Sequence, residues 1–329
     1  MSRFLKIAVA LLAIAALATP AIAEDYKFSV YGQARVNTYY TDVDEADTQN
    51  LTLDLMNTSR FGMKASKGAI SGQYEIAQDG SLRLLYGAYK FDGGTFSFGQ
   101  QYNAFTTASF TKINAVNDAG GAAWGLVGYA GRVTSLKVAF DNGFMFAAVE
   151  NSTESDTDDV VLPKLEAAYK GKAGDFAYTA AFGFKDHQLN ADDSIDCYLA
   201  SFIGNMPVGN IALKFNINYG QNAKQYGMSG ATYNGTADDD AELLSGFVQA
   251  SMKANDSNLI SAGIGYAEED IDSGDKETRM VYFIQDQITI APGFTVSPEI
   301  VYADYSDIAG VDGADDDRLY VGAKWQINF

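Results

Sequence analysis

Few side chains in this sequence could make or break bonds. His187 is the only histidine and Cys197 the only cysteine. No histidine pair stands at metal-ligand spacing, no evident base accompanies a serine nucleophile, and no internal disulfide can form. His187 follows Lys185-Asp186 in what reads as a loop, and Cys197 opens a strand as a small residue. Aspartate runs such as Asp238-Asp239-Asp240 lack the spacing and terminal glutamate of a calcium loop. No catalytic residue, no metal and no cofactor is expected. What remains is fixed charge at alternate positions of polar faces: Arg35, Arg60, Lys64, Glu75 and Arg83. Such groups exert a field on passing ions and dipoles rather than react with them.

The elements that must hold these charges have period two. From Tyr26 to Tyr39, Phe28, Val30, Gly32, Ala34 and Val36 alternate with Ser29, Tyr31, Gln33, Arg35 and Asn37, which is a strand with one apolar and one polar face. Arg60 and Lys64 share the polar parity of a strand near Leu51 to Ala65. In the third strand Gln73 and Glu75 oppose Ile70, Tyr74 and Ile76. The fourth sets Arg83 inward against an outward Leu84, Tyr86 and Ala88. The rhythm returns about sixteen times, with short turns such as Asp141-Asn142-Gly143 and Ala291-Pro292-Gly293 alternating with long acidic loops. One connection breaks it: from Asn103 to about Gly131 the chain carries Gly120-Gly121 and Trp124 without sustained alternation, far beyond the usual hairpin loop.

Composition narrows the class. A formal charge of −19 makes nucleic acid an unsuitable partner, since phosphates demand a basic face. Yet 47% of residues are hydrophobic and 13% aromatic, too many for a disordered acidic tail. Arg3 and Lys6, the apolar run Ile7 to Leu17 and the site Ala21-Ile22-Ala23 read as a signal peptide over residues 1–23, which leaves 24–329 as one folded domain. Beyond it no stretch has eighteen consecutive apolar residues, so membrane-spanning helices are excluded. Two-faced strands long enough to cross a bilayer must close on themselves, because an unpaired edge in hydrocarbon costs several kcal/mol for each unsatisfied group. The expected fold is all-β, a 16-stranded antiparallel transmembrane β-barrel.

Specific motifs carry a family resemblance. Thr58-Ser59-Arg60-Phe61-Gly62-Met63-Lys64 resembles the S-R-F/L-G-x-K strand of the general diffusion porins of Gram-negative outer membranes, and Gly72-Gln73-Tyr74-Glu75 is similar to their G-x-W/Y-E strand. Gly94 to Tyr102 resembles the segment that leads into their third loop. The final strand, with Leu319, Val321, Ala323, Trp325, Ile327 and Phe329 on one face, resembles the C-terminal assembly strand of such barrels. The resemblance implies a homotrimer of 16-stranded barrels in outer-membrane lipid and lipopolysaccharide, inserted by the barrel-assembly machinery. It implies a third loop, about 103–131 here, folded inward to narrow a water-filled channel. It places Arg60 and Arg83 on the basic wall of the constriction and Glu75 at an inward acid. Inward parity adds Arg35 and Lys64, and Asp118 is the acid kept on the loop. Phe329, Trp325 and Ile327 fall on the assembly signal. The sequence departs at Gln100, where the family has arginine, and at Asn117-Asp118-Ala119-Gly120-Gly121, which stands for P-E-F-G-G. Arg132 has lipid parity in a regular strand, and Lys137 has inward parity.

The expected function is passive diffusion of ions and small hydrophilic solutes through an outer-membrane channel. Its rivals are a substrate-specific channel, a non-conducting surface barrel and a barrel enzyme of phospholipase type. The acidic loops predict a cation preference at low salt that weakens as salt rises.

Overall fold

The computed structural model describes residues 26–44, 48–105, 113–118, 120–151, 162–190, 193–271, 276–306 and 317–329, without the side chains of 117 and 118. The signal-peptide segment 1–23 and parts of the acidic loops lie outside the described residues. Among the described residues, one 17-membered sheet contains all the strands. These are β1 (Lys27–Val43), β2 (Thr48–Leu55), β3 (Arg60–Lys67), β4 (Ile70–Ala77), β5 (Leu82–Phe91), β6 (Gly94–Tyr102), β7 (Arg132–Phe140), β8 (Phe144–Val149) and β9 (Lys164–Ala173). The series continues with β10 (Phe176–Gln188), β11 (Ser194–Val208), β12 (Ile211–Gln221), β13 (Ala241–Lys253), β14 (Asn258–Ile271), β15 (Lys276–Ala291), β16 (Phe294–Ser306) and β17 (Arg318–Asn328). Every neighbouring pair is antiparallel, and β17 returns to β1 with Val36 opposite Trp325, which closes the barrel.

The seventeen segments make sixteen staves. Both β2 and β3 pair with β1, β2 along Val36–Val43 and β3 along Lys27–Gln33. The expected single strand over 51–65 is therefore interrupted, and residues 56–59 face only Ala34 and Arg35. Ser59 repairs the ladder there: its hydroxyl accepts the Arg35 N–H at 2.9 Å and donates to the Arg35 carbonyl at 3.0 Å, so both backbone groups of Arg35 find a partner at the break.

The expected parity of the fourth strand is wrong in detail. On β5 it is Leu85 and Tyr89 that face outward, while Leu84 is buried and Tyr86 lines the interior. A β-bulge is the cause. Glu75 pairs with Leu84 but Ile76 pairs with Leu82, so Arg83 is the extra residue and turns inward against the local alternation. The same irregularity buries Ile76, which the regular pattern places outward. β10 also runs further than expected, and His187 sits on it opposite Ile195 rather than in a loop.

Elsewhere the two-faced pattern holds. Phe28, Leu136, Phe146, Phe182, Ile284 and Trp325 are exposed on the outer face. Phe176, Phe202 and Phe215 cluster near the short turns, with the rings of Phe176 and Phe215 stacked at 6.1 Å, as in an aromatic girdle at a membrane interface. The interior is polar except where chain packs against it. Phe247, Ala267, Val281, Phe283 and Val301 point inward and form a core with Ile113, Trp124, Leu126 and Val127 of the connection between β6 and β7. A second core joins Ala104, Phe105 and Ala130 to Ala168, Leu199, Tyr226 and Met228. The connection is thereby held inside the barrel.

Candidate functional site

The inward connection is fixed by carboxylates of the wall. Glu299 on β16 is buried and accepts the backbone N–H of Asn114 at 3.1 and 2.9 Å and that of Ala115 at 2.9 Å. Tyr39 and Gln285 complete its shell at 3.1 and 2.7 Å. At the other end of the loop Glu166 on β9 accepts the N–H of Ala104 at 2.8 Å and the Tyr226 hydroxyl at 3.0 Å. Burial pushes that hydroxyl well above the ordinary tyrosine range, which keeps it a donor. A buried carboxylate is costly unless its lone pairs are filled, and a loop rich in unpaired N–H groups fills them. On the wall between, Asn218 and Asn216 donate to the Leu126 carbonyl at 3.0 and 3.4 Å.

A second inward segment supports the first. After β12 the chain forms a short helix, α1 (Ala223–Tyr226), and then runs under the loop, where Ser229 donates its N–H to the Tyr129 carbonyl at 2.8 Å. A Cβ at Gly230 would lie 2.2 Å from the Gly125 nitrogen, so the two segments meet at backbone distance. Glu269 accepts the N–H groups of Thr232 and Tyr233 at 2.7 and 3.0 Å and pairs with Arg279, which also reaches the Gly230 carbonyl. Nothing in the sequence pattern points to this second insertion. Its only trace is a length beyond a hairpin loop.

Beside the loop lies an open cavity of about 900 Å³ that reaches from β1, β3, β5 and β7 across to β12, β13, β15 and β17, with loop residues Ile113, Asn114, Ala122 and Tyr129 on one side. Arg35, Arg60, Arg83, Arg132, Lys214 and Lys324 line it; among the described residues the one carboxylate lining it is Asp79. Hydrogen bonds from the Ser81 side chain and backbone hold Asp79 below the usual aspartate range.

Arg60, Arg83 and Glu75 come together as a cluster. Arg83 Nε donates to Glu75 Oε1 at 2.8 Å, Arg60 Nη1 lies 3.6 Å from the same oxygen, and the Tyr31 hydroxyl donates to Oε2 at 2.7 Å. Glu75 and Arg83 are both buried and neutralise each other, and Arg60 beside them leaves the cluster with a net positive charge on this wall. Arg35 donates to Gln33 at 2.8 Å beside them. Lys64 lies lower in a neighbouring concavity shared with Arg60, Glu75 and Lys137, its ammonium 5.5 Å from the Tyr31 ring centroid.

Arg132 faces the cavity despite its lipid parity. It is the first residue of β7 and pairs with Tyr102, the last of β6, where both strands leave the wall for the loop. Its guanidinium stacks 5.7 Å from the Tyr102 ring centroid and donates to the Tyr102 hydroxyl at 3.4 Å. Asp118 closes the short helix Ala115–Asp118 on the loop, and its side chain lies outside the described residues. Lys214 and Lys324, as well as the anchoring Glu166 and Glu299, were not singled out by sequence. Their inward parity was readable, but nothing there distinguishes an anchor from a solvated lumen residue.

The terminal strand is placed as its pattern suggests. Trp325, Ile327 and Phe329 are exposed on the outer face, and Phe329 exchanges backbone hydrogen bonds with Gly32 at 2.7 and 3.0 Å.

Comparison with known proteins agrees with this architecture. No curated protein matches the chain significantly. Among solved structures, the outer membrane channel DcaP of Acinetobacter baumannii superposes with a TM-score of 0.69 at 16% identity, covering 93% of this chain and 98% of that one. Outer-membrane expressed OmpT of Vibrio cholerae gives 0.65 at 16%, over 92% and 98%. The anion-selective porin from Comamonas acidovorans gives 0.64 at 13%, over 93% and 100%. At these identities the likeness speaks for the fold. The family profile described as Gram-negative porin matches residues 8–329. The chain belongs to the Gram-negative porin family and is an outer-membrane β-barrel channel for passive diffusion.

Proposed function

We propose that the channel favours small hydrophilic anions at physiological salt. The observation that carries this reading is the charge of the cavity lining: six basic side chains against Asp79 among the described residues, an excess that survives even if Asp118 also faces the cavity. Glu75, which pairs with Arg83 beside Arg60, cancels one of these basic charges, and the lining stays basic with that charge taken off. A field from charges lining a narrow aqueous passage acts at contact distance on each ion. Charges on the outer loops are screened beyond about 8 Å at physiological ionic strength. In dilute salt the acidic loops should therefore pull selectivity toward cations, and in physiological salt the lining should decide.

In this reading Arg35, Arg60, Arg83, Arg132 and Lys324 form the basic wall, the loop 103–131 limits the pore, and no catalysis is assigned. A Vibrio cholerae neighbour is described in a trimer form, and a homotrimer is the assembly adopted for this chain. Residues 1–23 are removed on export, which the N-terminal sequence of the outer-membrane protein would check. Reversal potentials across a KCl gradient test the selectivity: anion preference with both baths above about 0.15 M is expected. Cation preference at every salt concentration would overturn it.

A further inference from the structure

The arginine-lined cavity continues toward the short-turn end of the barrel. Lys214 lines it and also lines a second concavity of about 500 Å³ together with Lys170, Lys172, Thr179 and Asn205. The sheet register explains the gathering. Lys172 pairs with Ala177, Ala177 with Asn205 and Asn205 with Lys214, so the two lysines sit on one rung of the wall across β9 to β12. Three strand spacings put their backbones about 14 Å apart, which two side chains reaching inward shorten further. Lys170 is one inward position along β9 and pairs with Thr179. Among the described residues no carboxylate lines this concavity.

Three ammonium groups collected on one patch repel one another. The patch holds hydrogen-bonding groups between them in Thr179 and Asn205. A solute with one negative charge can meet one lysine at a time. A solute with two or three can bridge the rung, and can hold Lys214 while still facing the arginines above. Ammonium groups also suit the exit, being strongly hydrated point charges that release an anion more readily than the planar fork of arginine. Conduction through successive sites needs binding that is favourable on entry and weak enough for departure.

We propose that Lys170, Lys172 and Lys214 form an exit-side subsite for small multivalent oxyanions, carboxylates or phosphates, which receives them from the arginine wall. The subsite rests on the reading of this barrel as an anion-favouring channel, and its test separates the two. Citrate and inorganic phosphate are the probes, and the variant is K170Q/K172Q, whose positions are both solvent-exposed and so tolerate neutral side chains. In planar bilayers, citrate or phosphate added from each side in turn should block chloride current. From the short-turn side the half-blocking concentration should rise by about fivefold or more in the variant. The probe with the larger shift identifies carboxylate or phosphate as the preferred group. A conducting variant with unchanged block by both probes overturns the subsite and leaves the channel reading standing. If the wild type is silent in bilayers, the channel reading fails. Calorimetric titration of citrate into the detergent-solubilised barrel then decides the subsite: binding weakened about fivefold in K170Q/K172Q supports it, and equal or absent binding overturns it.

Discussion

Glu299 takes the N–H of Asn114 with both of its carboxylate oxygens, at 3.1 and 2.9 Å, and so ties the inward loop to the barrel wall. Such a bond joins a charged acceptor to backbone donors in a buried place, where leaving a donor unfilled costs about 1–3 kcal/mol. E299Q replaces one acceptor oxygen with a donor that faces other donors. The loop should come loose while the barrel stays closed, giving frequent current fluctuations and a larger mean conductance. Quiet recordings at wild-type conductance from heat-modifiable E299Q protein would show that the apolar packing of Trp124 and Leu126 suffices alone.

Removing most of the connection over 103–131, with a short linker in its place, should raise single-channel conductance. The two apolar cores hold that segment across the lumen, so its removal opens cross-section along the arginine wall. Equal conductance in a correctly folded deletion would place the narrowest point elsewhere.

Neutralising Arg60 and Arg83 together should move selectivity toward cations, and the shift should exceed that of R132Q alone. The double variant also releases Glu75, which turns from a neutralised acid into a lumen charge. R83Q alone should destabilise the barrel by about 1–3 kcal/mol, because it strips the nearest charged partner from Glu75 and leaves Arg60 and Tyr31 to hold it. Adding E75Q should restore most of that loss. Reversal potentials and the temperature of heat modification read the two effects separately. A double arginine variant that folds with unmoved selectivity would remove these positions from the ion path.

Deleting Phe329, or making it charged, should sharply lower the amount of heat-modifiable protein in the outer membrane. The residue closes the barrel seam through two backbone bonds to Gly32, and its ring lies where a Cβ on Gly32 would come within 2.4 Å. G32V should thus show a milder version of the same defect by displacing the ring. Wild-type insertion of both variants would argue that the seam is fixed by β1 and β17 pairing alone.

Much of this was readable in order along the chain. Alternation of apolar and polar residues fixes which face of a strand meets lipid, and the absence of water in hydrocarbon then demands closure, so the barrel and its stave number follow from sequence. The inward placement of Arg60, Lys64 and Glu75 follows from the same parity. Parity fails where the ladder is irregular. Arg83 reaches the lumen through a bulge that also reverses Leu84 and Tyr86, and Arg132 reaches it because β7 begins at the mouth of the loop. Bulges and loop mouths depend on how two strands meet, which one strand's pattern does not record. Tertiary structure alone decided which inward acids are charges for solutes and which are anchors. Glu166, Glu269 and Glu299 look in sequence like any lumen carboxylate, yet each is occupied by backbone N–H groups of segments distant along the chain. That occupation, with Asp79 the one carboxylate among the described residues of the lining, leaves the open cavity basic in a protein whose sequence is strongly acidic.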